Sequence, residues 1–259
     1  MLRLGSLLSN SRFYILVSSL LLSVSVISYL RIQIPSDQLF YIRSQQVFGL
    51  LAIVYLYVAL IISPIDFIIG KHRMRYFEFA RRAISVSAFY FALLHGAISL
   101  WGQLGGFGQL QYLPELFKWS LGAGLITFSI LLVMAATSLD KVVSFMTYRR
   151  WKWLHRLVYI ATILVVLHIW TIGTHIAYSN VRFIGFIALA VLFGLELFKT
   201  TKLLNKNHLH LDTAEEITLF VSLWIVACFA LIFMPTYVQN YHSRHTNHSP
   251  QIQTNGQAE

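Results

Sequence analysis

The chain has 259 residues, of which 57% are hydrophobic, 15% aromatic and only 12% charged. Soluble domains carry about 25% charged residues, and half of that charge cannot cover the surface of a water-soluble globule of this size. The composition therefore excludes a soluble enzyme and a disordered protein, and the single cysteine excludes a disulfide-stapled domain. The net charge of +10 is spread between apolar segments, as in membrane proteins. We therefore predict an integral protein in contact with membrane lipid, and no nucleic-acid partner.

Seven segments are long and apolar enough to cross a bilayer, which requires about 20 residues. Their uninterrupted apolar runs favour helices over the alternating pattern of a membrane barrel. The sequence thus predicts an all-α fold of about seven spans, with a glycine-rich loop at 102–108 between the third and fourth. The predicted spans cover residues 13–30, 47–69, 83–101, 119–138, 153–172, 181–198 and 217–234.

The Lys and Arg residues are unequally divided between the two sides of the predicted bundle. If the N-terminus is inside, 14 of the 20 lie in inner segments, five lie in outer segments, and Arg156 lies just within the fifth span. Because inner connections of membrane proteins carry the excess of positive charge, we predict an N-terminus inside. The first span is then expected to be an uncleaved anchor.

Three of the ten histidines lie within predicted spans, where ionisable residues mark functional sites. At a rise of about 1.5 Å per residue, His95 lies about 20 Å above the inner boundary and His168 about 24 Å above it. Two imidazoles at matched depth on different helices suit the axial positions of a six-coordinate b-type haem. The alternative is that each histidine only bonds a backbone carbonyl across the bundle. His155 is predicted near the inner surface.

Short motifs in the same region resemble the ferric-reductase-like transmembrane superfamily. Within it, the chain is similar to the haem-binding membrane subunits of bacterial periplasmic methionine sulfoxide reductase systems. The motifs are W-K-W-L-H-R-L-V-Y at 151–159, L-H-I-W at 167–170, Leu94-His95, the paired Arg81-Arg82, and Ser63-Pro64 in place of Thr-Pro.

The resemblance implies a six-helix core with haem b, in which His95 and His168 are the axial pair. It implies a protein of the bacterial inner membrane that passes electrons from a cytoplasmic flavin reductase or the quinone pool to a periplasmic acceptor. That acceptor is a reductase catalytic subunit or a metal chelate. His155 is similar to a family histidine on the inner side, beside a second haem, FMN or a quinone. The arginines at the inner entrance, Arg81, Arg82 and Arg156, are candidate cofactor-binding residues, because a guanidinium can pair with a haem propionate or a flavin phosphate. The alternative is that they only follow the excess of positive charge on the inner side.

The chain departs from the family pattern in three places. Two-haem relatives carry a histidine where Arg81 or Arg82 stands here, and arginine cannot ligate iron. The fourth span opens on Phe117-Lys118-Trp119 in place of Arg-Pro-Tyr, and a seventh span follows the core. The predicted division is an anchor helix and outer loop at 1–46, the haem-binding core at 47–199, an inner loop and extra helix at 200–238, and a disordered His-containing tail at 239–259.

We expect no nicotinamide- or flavin-binding domain, so the chain is predicted to be an electron-transfer component of an oxidoreductase. The alternative is a cofactor-free small transporter or assembly factor. Transporters tend to show paired halves with broken helices and charges at the midplane. Because the seven predicted spans show neither feature, the sequence favours electron transfer.

Overall fold

A computed structural model of the chain describes residues 2–69, 75–172 and 179–204, and every regular element in these ranges is helical. The all-α prediction is therefore confirmed. The eight α-helices of the described ranges are α1 Leu2–Gln33, α2 Asp37–Ile69, α3 Arg75–Ala97, α4 Glu115–Ala136, α5 Asp140–Phe145, α6 Tyr148–His155, α7 Leu157–Ile172 and α8 Ser179–Leu204.

Six segments of the described chain are helices long and apolar enough to cross a membrane, in agreement with the first six predicted spans. The predicted seventh span at 217–234 and the predicted tail at 239–259 lie outside the described residues. The six helical segments are Arg12–Gln33, Asp37–Ile69, Ala80–Gln103, Glu115–Ala136, Arg149–Ile172 and Phe183–Lys202.

Helix α2 is longer at its outer end than its apolar residues suggest. It begins at Asp37, ten residues before the predicted span, so only residues 34–36 connect it to α1. An acidic residue in the first turn favours a helix start, and Asp37 also receives a hydrogen bond of 2.6 Å from Arg31. The polar first turns of α2 therefore stand above the predicted span, beside the end of α3.

The connection predicted as a glycine-rich loop is mostly helical. Helix α3 continues into a π-helical segment, Ile98–Gln103, and a 3₁₀ helix follows at Phe107–Tyr112. The turn between them uses Gly105 and Gly106 at φ of 73° and 94°, a backbone region that glycine adopts without steric cost. The chain consequently reverses direction between the end of the π-helical segment at Gln103 and the start of α4 at Glu115.

The helices pack in two main antiparallel pairs, α2 with α3 and α4 with α7, while α8 lies against α2. The core is built from residues of five helices: Leu56, Leu60, Ala88, Leu131, Met134, Val158 and Leu192. Helix α1 joins α3 through hydroxyl groups, since Ser19 donates to Ser87 at 2.9 Å and Ser23 bonds Tyr90 at 2.7 Å. Such small polar contacts hold helices together in lipid, where burial of apolar surface contributes little.

Candidate functional site

The structure brings together two of the three histidines singled out in the sequence. His95 lies in the last turn of α3, and His168 lies near the end of α7, at the same end of the bundle. Their ring centroids are 6.1 Å apart, and the ring planes stand at 87° to each other. The two imidazoles therefore face a shared space between the α2–α3 pair and the α4–α7 pair.

A backbone carbonyl holds the His95 ring. Nδ1 of His95 lies 2.8 Å from the carbonyl oxygen of Gln45 in α2. A carbonyl oxygen can only accept a hydrogen bond, so Nδ1 carries the hydrogen and Nε2 keeps its lone pair. The neutral ring thus presents a metal-ligating nitrogen on the side away from α2.

The His168 ring is held in the same way by α4. Its Nδ1 lies 2.9 Å from the carbonyl oxygen of Ser120, which selects the same tautomer. The Ser120 hydroxyl also lies 3.3 Å from Nδ1 and donates to the His168 carbonyl at 3.1 Å. Thr171 in turn donates to that hydroxyl. Ser120 therefore bonds both His168 and Thr171, and these bonds join α4 to α7 beside the ring.

Two glycines allow these close contacts. A Cβ atom added to Gly49 would lie 2.9 Å from Nδ1 of His95, and one added to Gly124 would lie 3.0 Å from Nδ1 of His168. Each glycine follows the residue whose carbonyl accepts the bond, Gln45 or Ser120, by one helical turn. The two rings therefore lie in matched cradles that a larger residue would fill.

The spacing and the donor set fit an iron porphyrin with two axial histidines. A metal–nitrogen bond of about 2 Å on each side, with half of each ring added, requires ring centres roughly 6 Å apart. The sequence also left open that each histidine only bonds a carbonyl across the bundle. Both do make that bond, but it occupies Nδ1 alone, and haem ligands are commonly oriented by such a bond to the second nitrogen.

The third histidine, His155, lies at the other end of the bundle in different surroundings. It ends α6, and its ring stacks on Trp151 with centroids 4.2 Å apart and planes at 31°. The guanidinium of Arg82 lies 5.6 Å from the centre of the Trp151 ring. Arginine, indole and imidazole thus form a cluster in which Arg82 and His155 both pack against Trp151; it is called the inner cluster because it lies at the end predicted to face the cytoplasm.

His155 is not held by a backbone carbonyl in the way the outer pair is. Its Nε2 lies 3.4 Å from the hydroxyl oxygen of Thr137, and that hydroxyl donates to the Val133 carbonyl at 2.8 Å. In the outer pair it is Nδ1 that is bonded, and by a carbonyl.

The predicted cofactor-binding arginines also lie at this inner end. Arg81 and Arg82 are close enough to His155 to act on it electrostatically, and Arg81 donates from Nε to the Ala59 carbonyl at 3.0 Å. Arg156 stands at the junction of α6 and α7. Over the residues that the structure describes, no group of three or more His, Cys, Asp or Glu side chains could hold a metal ion.

A buried charge pair at the same end was given no functional role by sequence reasoning. The Lys199 ammonium of α8 lies 3.3 Å from the Glu196 carboxylate and donates to the Ser63 hydroxyl of α2 at 3.0 Å. Glu196 is only 4% exposed. The pair sits beside Pro64, which cannot donate a backbone hydrogen bond within α2, and it ties α8 to that point.

Sequence reasoning also missed the residues that hold the outer rings. A faint signal exists, because both α2 and α4 carry a polar residue followed one turn later by glycine, as Gln45-x-x-x-Gly49 and Ser120-x-x-x-Gly124. Glycine weakens a helix interior, so its presence one turn after a polar residue indicates a close contact with another chain segment.

Residues 48–166 match the family described as "Ferric reductase like transmembrane component". Two curated relatives carry the name protein-methionine-sulfoxide reductase heme-binding subunit MsrQ. The relative from Herminiimonas arsenicoxydans is 35% identical over 91 residues, which are 35% of this chain and 41% of the relative. The relative from Ralstonia nicotianae is 30% identical over 123 residues, which are 47% of this chain and 55% of the relative.

The chain thus spans about two fifths of one curated relative and just over half of the other. No solved structure matches it at a significant level. The family match covers α3, α4 and most of α2 and α7; it contains His95 and ends two residues before His168. The resemblance predicted from the sequence is therefore confirmed: residues 48–166 of this multi-pass membrane protein are similar to the ferric-reductase-like transmembrane family.

Proposed function

We propose that the protein binds haem b between His95 and His168 and passes single electrons across the bacterial inner membrane. The observation that carries the proposal is the pair of imidazoles 6.1 Å apart, each oriented through Nδ1 by a backbone carbonyl. The relatives named as heme-binding subunits support the same cofactor. A bound haem supplies one-electron chemistry with little change in ligation.

The chain's own residues contribute orientation and an apolar environment. The carbonyls of Gln45 and Ser120 keep both Nε2 atoms deprotonated and aimed at the shared space. Phe48 and Phe91, both fully buried and stacked with ring centroids 6.2 Å apart, exclude water beneath His95. Burial and axial ligation are the means by which a protein sets the reduction potential of haem.

We propose that electrons enter at the inner cluster of Arg82, Trp151 and His155. Arg82 and the neighbouring Arg81 would attract the phosphate of a flavin carried by a reductase, or would donate hydrogen bonds to the oxygens of a quinol from the membrane. Arg156 completes the positive rim of this entrance. The proposal assigns FMN or a quinone to this end, and haem to the outer end.

The acceptor is proposed to lie outside the membrane, near the outer histidine pair. The two relatives are named as subunits of a methionine sulfoxide reductase, which favours a periplasmic catalytic subunit as the partner. A metal chelate is the second candidate, because the matched family is described as a ferric-reductase-like transmembrane component. Reduction of each candidate by the purified, haem-loaded protein would separate the two.

The cofactor is tested by the absorption spectrum of the purified full-length protein, produced with haem supplied in excess. We expect a reduced-minus-oxidised haem b spectrum from the unaltered protein. His95→Ala and His168→Ala should each abolish the low-spin spectrum, because one axial ligand is lost. His155→Ala is the matched control, since it removes a histidine from the same bundle and should keep most of the signal.

A colourless preparation would contradict the proposal and favour the cofactor-free transporter or assembly factor. Equal loss of the spectrum in all three histidine variants would show that the axial pair is wrongly assigned. Loss in His155→Ala alone would move the haem to the inner end.

A further inference from the structure

We propose that Gly49 and Gly124 are a matched pair of positioning residues that hold the imidazole planes of His95 and His168 at right angles across one haem. The inference rests on the proposed function and deepens it, because it states how this chain sets the orientation of its two axial ligands. It draws on the contacts of two helices, α2 and α4, that supply neither histidine.

Each histidine ring bonds a helical carbonyl one turn before a glycine. In an α-helix the carbonyl of a residue accepts from the N–H four residues later. The acceptors of His95 and His168 are therefore the carbonyls that lie above Gly49 and Gly124 in the helical ladder. Each Nδ1 must approach its carbonyl across the face of the helix that the side chain of the later residue would occupy.

The histidine ring occupies the space that a side chain at the glycine would need. A Cβ on Gly49 would lie 2.9 Å from Nδ1 and 3.2 Å from Cε1 of His95. A Cβ on Gly124 would lie 3.0 Å from Nδ1 and 3.1 Å from Cε1 of His168. Alanine at either position would therefore push the ring away from the carbonyl that orients it.

The two contacts are specific among the glycines of these helices. Gly96 directly follows His95, and Gly122 lies two residues before Gly124, yet a Cβ at either would meet nothing within 4 Å. Gly102, at the same end of the bundle, also packs tightly, but a Cβ there would meet the ring of Tyr41, at 2.6 Å, and no histidine. What distinguishes Gly49 and Gly124 is contact with a histidine ring.

These contacts fix the angle between the two ring planes. Each ring is held by a hydrogen bond to a different helix, and the resulting planes are 87° apart. When two axial imidazoles are crossed in this way, their π orbitals interact with different iron d orbitals, so those orbitals stay nearly equal in energy. Axial-ligand geometry of this kind is one of the means by which a protein tunes haem.

Electron paramagnetic resonance of the oxidised, haem-loaded protein reads this geometry directly. Crossed imidazole planes give a low-spin ferric signal dominated by one large g value, whereas parallel planes give a rhombic signal with three resolved values. We expect the crossed-plane signal from the unaltered protein. A rhombic signal from it would overturn the inference without recourse to any variant.

The variants then assign the effect to the two glycines. Gly49→Ala and Gly124→Ala should each shift the leading g value toward the rhombic type or convert part of the haem to high spin. Gly96→Ala and Gly122→Ala should leave the signal unchanged. The inference is overturned if all four variants keep the unaltered signal, or if all four change it equally.

The haem content separates failure of this inference from failure of the proposed function. An unaltered protein without haem would contradict the proposed function, and this inference would fall with it. An unaltered protein with bis-histidine haem, and a signal that does not respond to Gly49→Ala or Gly124→Ala, would contradict only the positioning role. If one alanine variant is not recovered from the membrane, the signal of the unaltered protein still tests whether the imidazole planes are crossed. The recovered variant, with its control, then tests the positioning role.

Discussion

The two ends of the bundle hold their histidines by different physical means. At the outer end, His95 and His168 are neutral rings oriented by the backbone carbonyls of Gln45 and Ser120. At the inner end, His155 is stacked on an indole that also lies under an arginine. The outer end is organised by the backbone, and the inner end by charged and aromatic side chains.

The difference follows from the depth of each site. Within the bilayer a charged side chain is costly, and backbone polar groups must be satisfied inside the protein. A neutral imidazole bonded to a helical carbonyl meets both demands and leaves one nitrogen for a metal. Near the predicted inner surface, arginines are favoured by topology, so a cationic, aromatic environment costs little there.

The largest expected effect is loss of the haem spectrum, which should occur when an outer histidine is replaced and not when His155 is replaced. In His95→Gly and His168→Gly the low-spin haem spectrum should disappear, and added imidazole should restore it, because the orienting carbonyls remain to accept the imidazole N–H. His155→Gly should keep its spectrum and not respond to imidazole. The measurement is an absorption titration with imidazole. If His155→Gly lost the low-spin spectrum and imidazole restored it, His155 would be an axial ligand, which would contradict the prediction.

The second prediction concerns how charge holds the inner end together. Glu196→Ala should lower the free energy of unfolding by about 3 kcal/mol, the lower end of the cost of breaking a buried ion pair, because the partner Lys199 side chain is 22% exposed. The pair Glu115–Lys118 is the matched control. Its side chains are 72% and 38% exposed, so Glu115→Ala should change stability by less than about 1 kcal/mol.

Both values can be measured by denaturant titration of helicity in detergent micelles. The outer haem spectrum should survive Glu196→Ala, since the charge pair lies at the other end of α8. Equal losses of stability from Glu196→Ala and Glu115→Ala would show that the inner pair is not buried as described.

The smallest expected effect comes from removing the hydroxyl of Ser120, which lies beside one of the two outer rings. The Ser120 hydroxyl lies 3.3 Å from Nδ1 of His168, in addition to the carbonyl bond. Ser120→Ala should cost about 1 kcal/mol of stability, as for one lost hydrogen bond, and should shift the haem reduction potential measurably while keeping the low-spin spectrum.

Ser129→Ala is the control for that change, because Ser129 lies on the same helix and its exposed hydroxyl bonds only the Leu125 carbonyl among the contacts described. A redox titration of both variants supplies the measurement. An unchanged potential in Ser120→Ala would show that the carbonyl alone orients His168.

Much of the architecture was predictable from local features of the chain. Apolar runs of helical length located the six described spans, and a constant rise per residue placed His95 and His168 at one depth. Helix ends were predicted less well, because α2 extends to Asp37 through polar residues that a hydropathy window does not detect. The glycine-rich connection likewise formed two short helices where a loop was expected.

The contacts of the site were not predictable in the same way. The hydrogen-bond partners of His95, His155 and His168 depend on which helix lies beside each ring and how that helix is rotated about its axis. A change of one residue in the register of α2 against α3 would exchange Gly49 for a neighbour with a side chain. Hydrophobicity constrains such rotations only weakly in lipid, where most faces of a helix are apolar.

By itself, the sequence determined that this is a helical membrane protein with two histidines at one level and one toward the opposite end of the bundle. Those properties depend on segment length, composition and spacing along single helices. Only the tertiary structure decided which carbonyls orient the rings, which glycines admit them, and that the ring planes are crossed. Those properties depend on distances of a few ångströms between different helices, which pairwise packing sets and no single segment encodes.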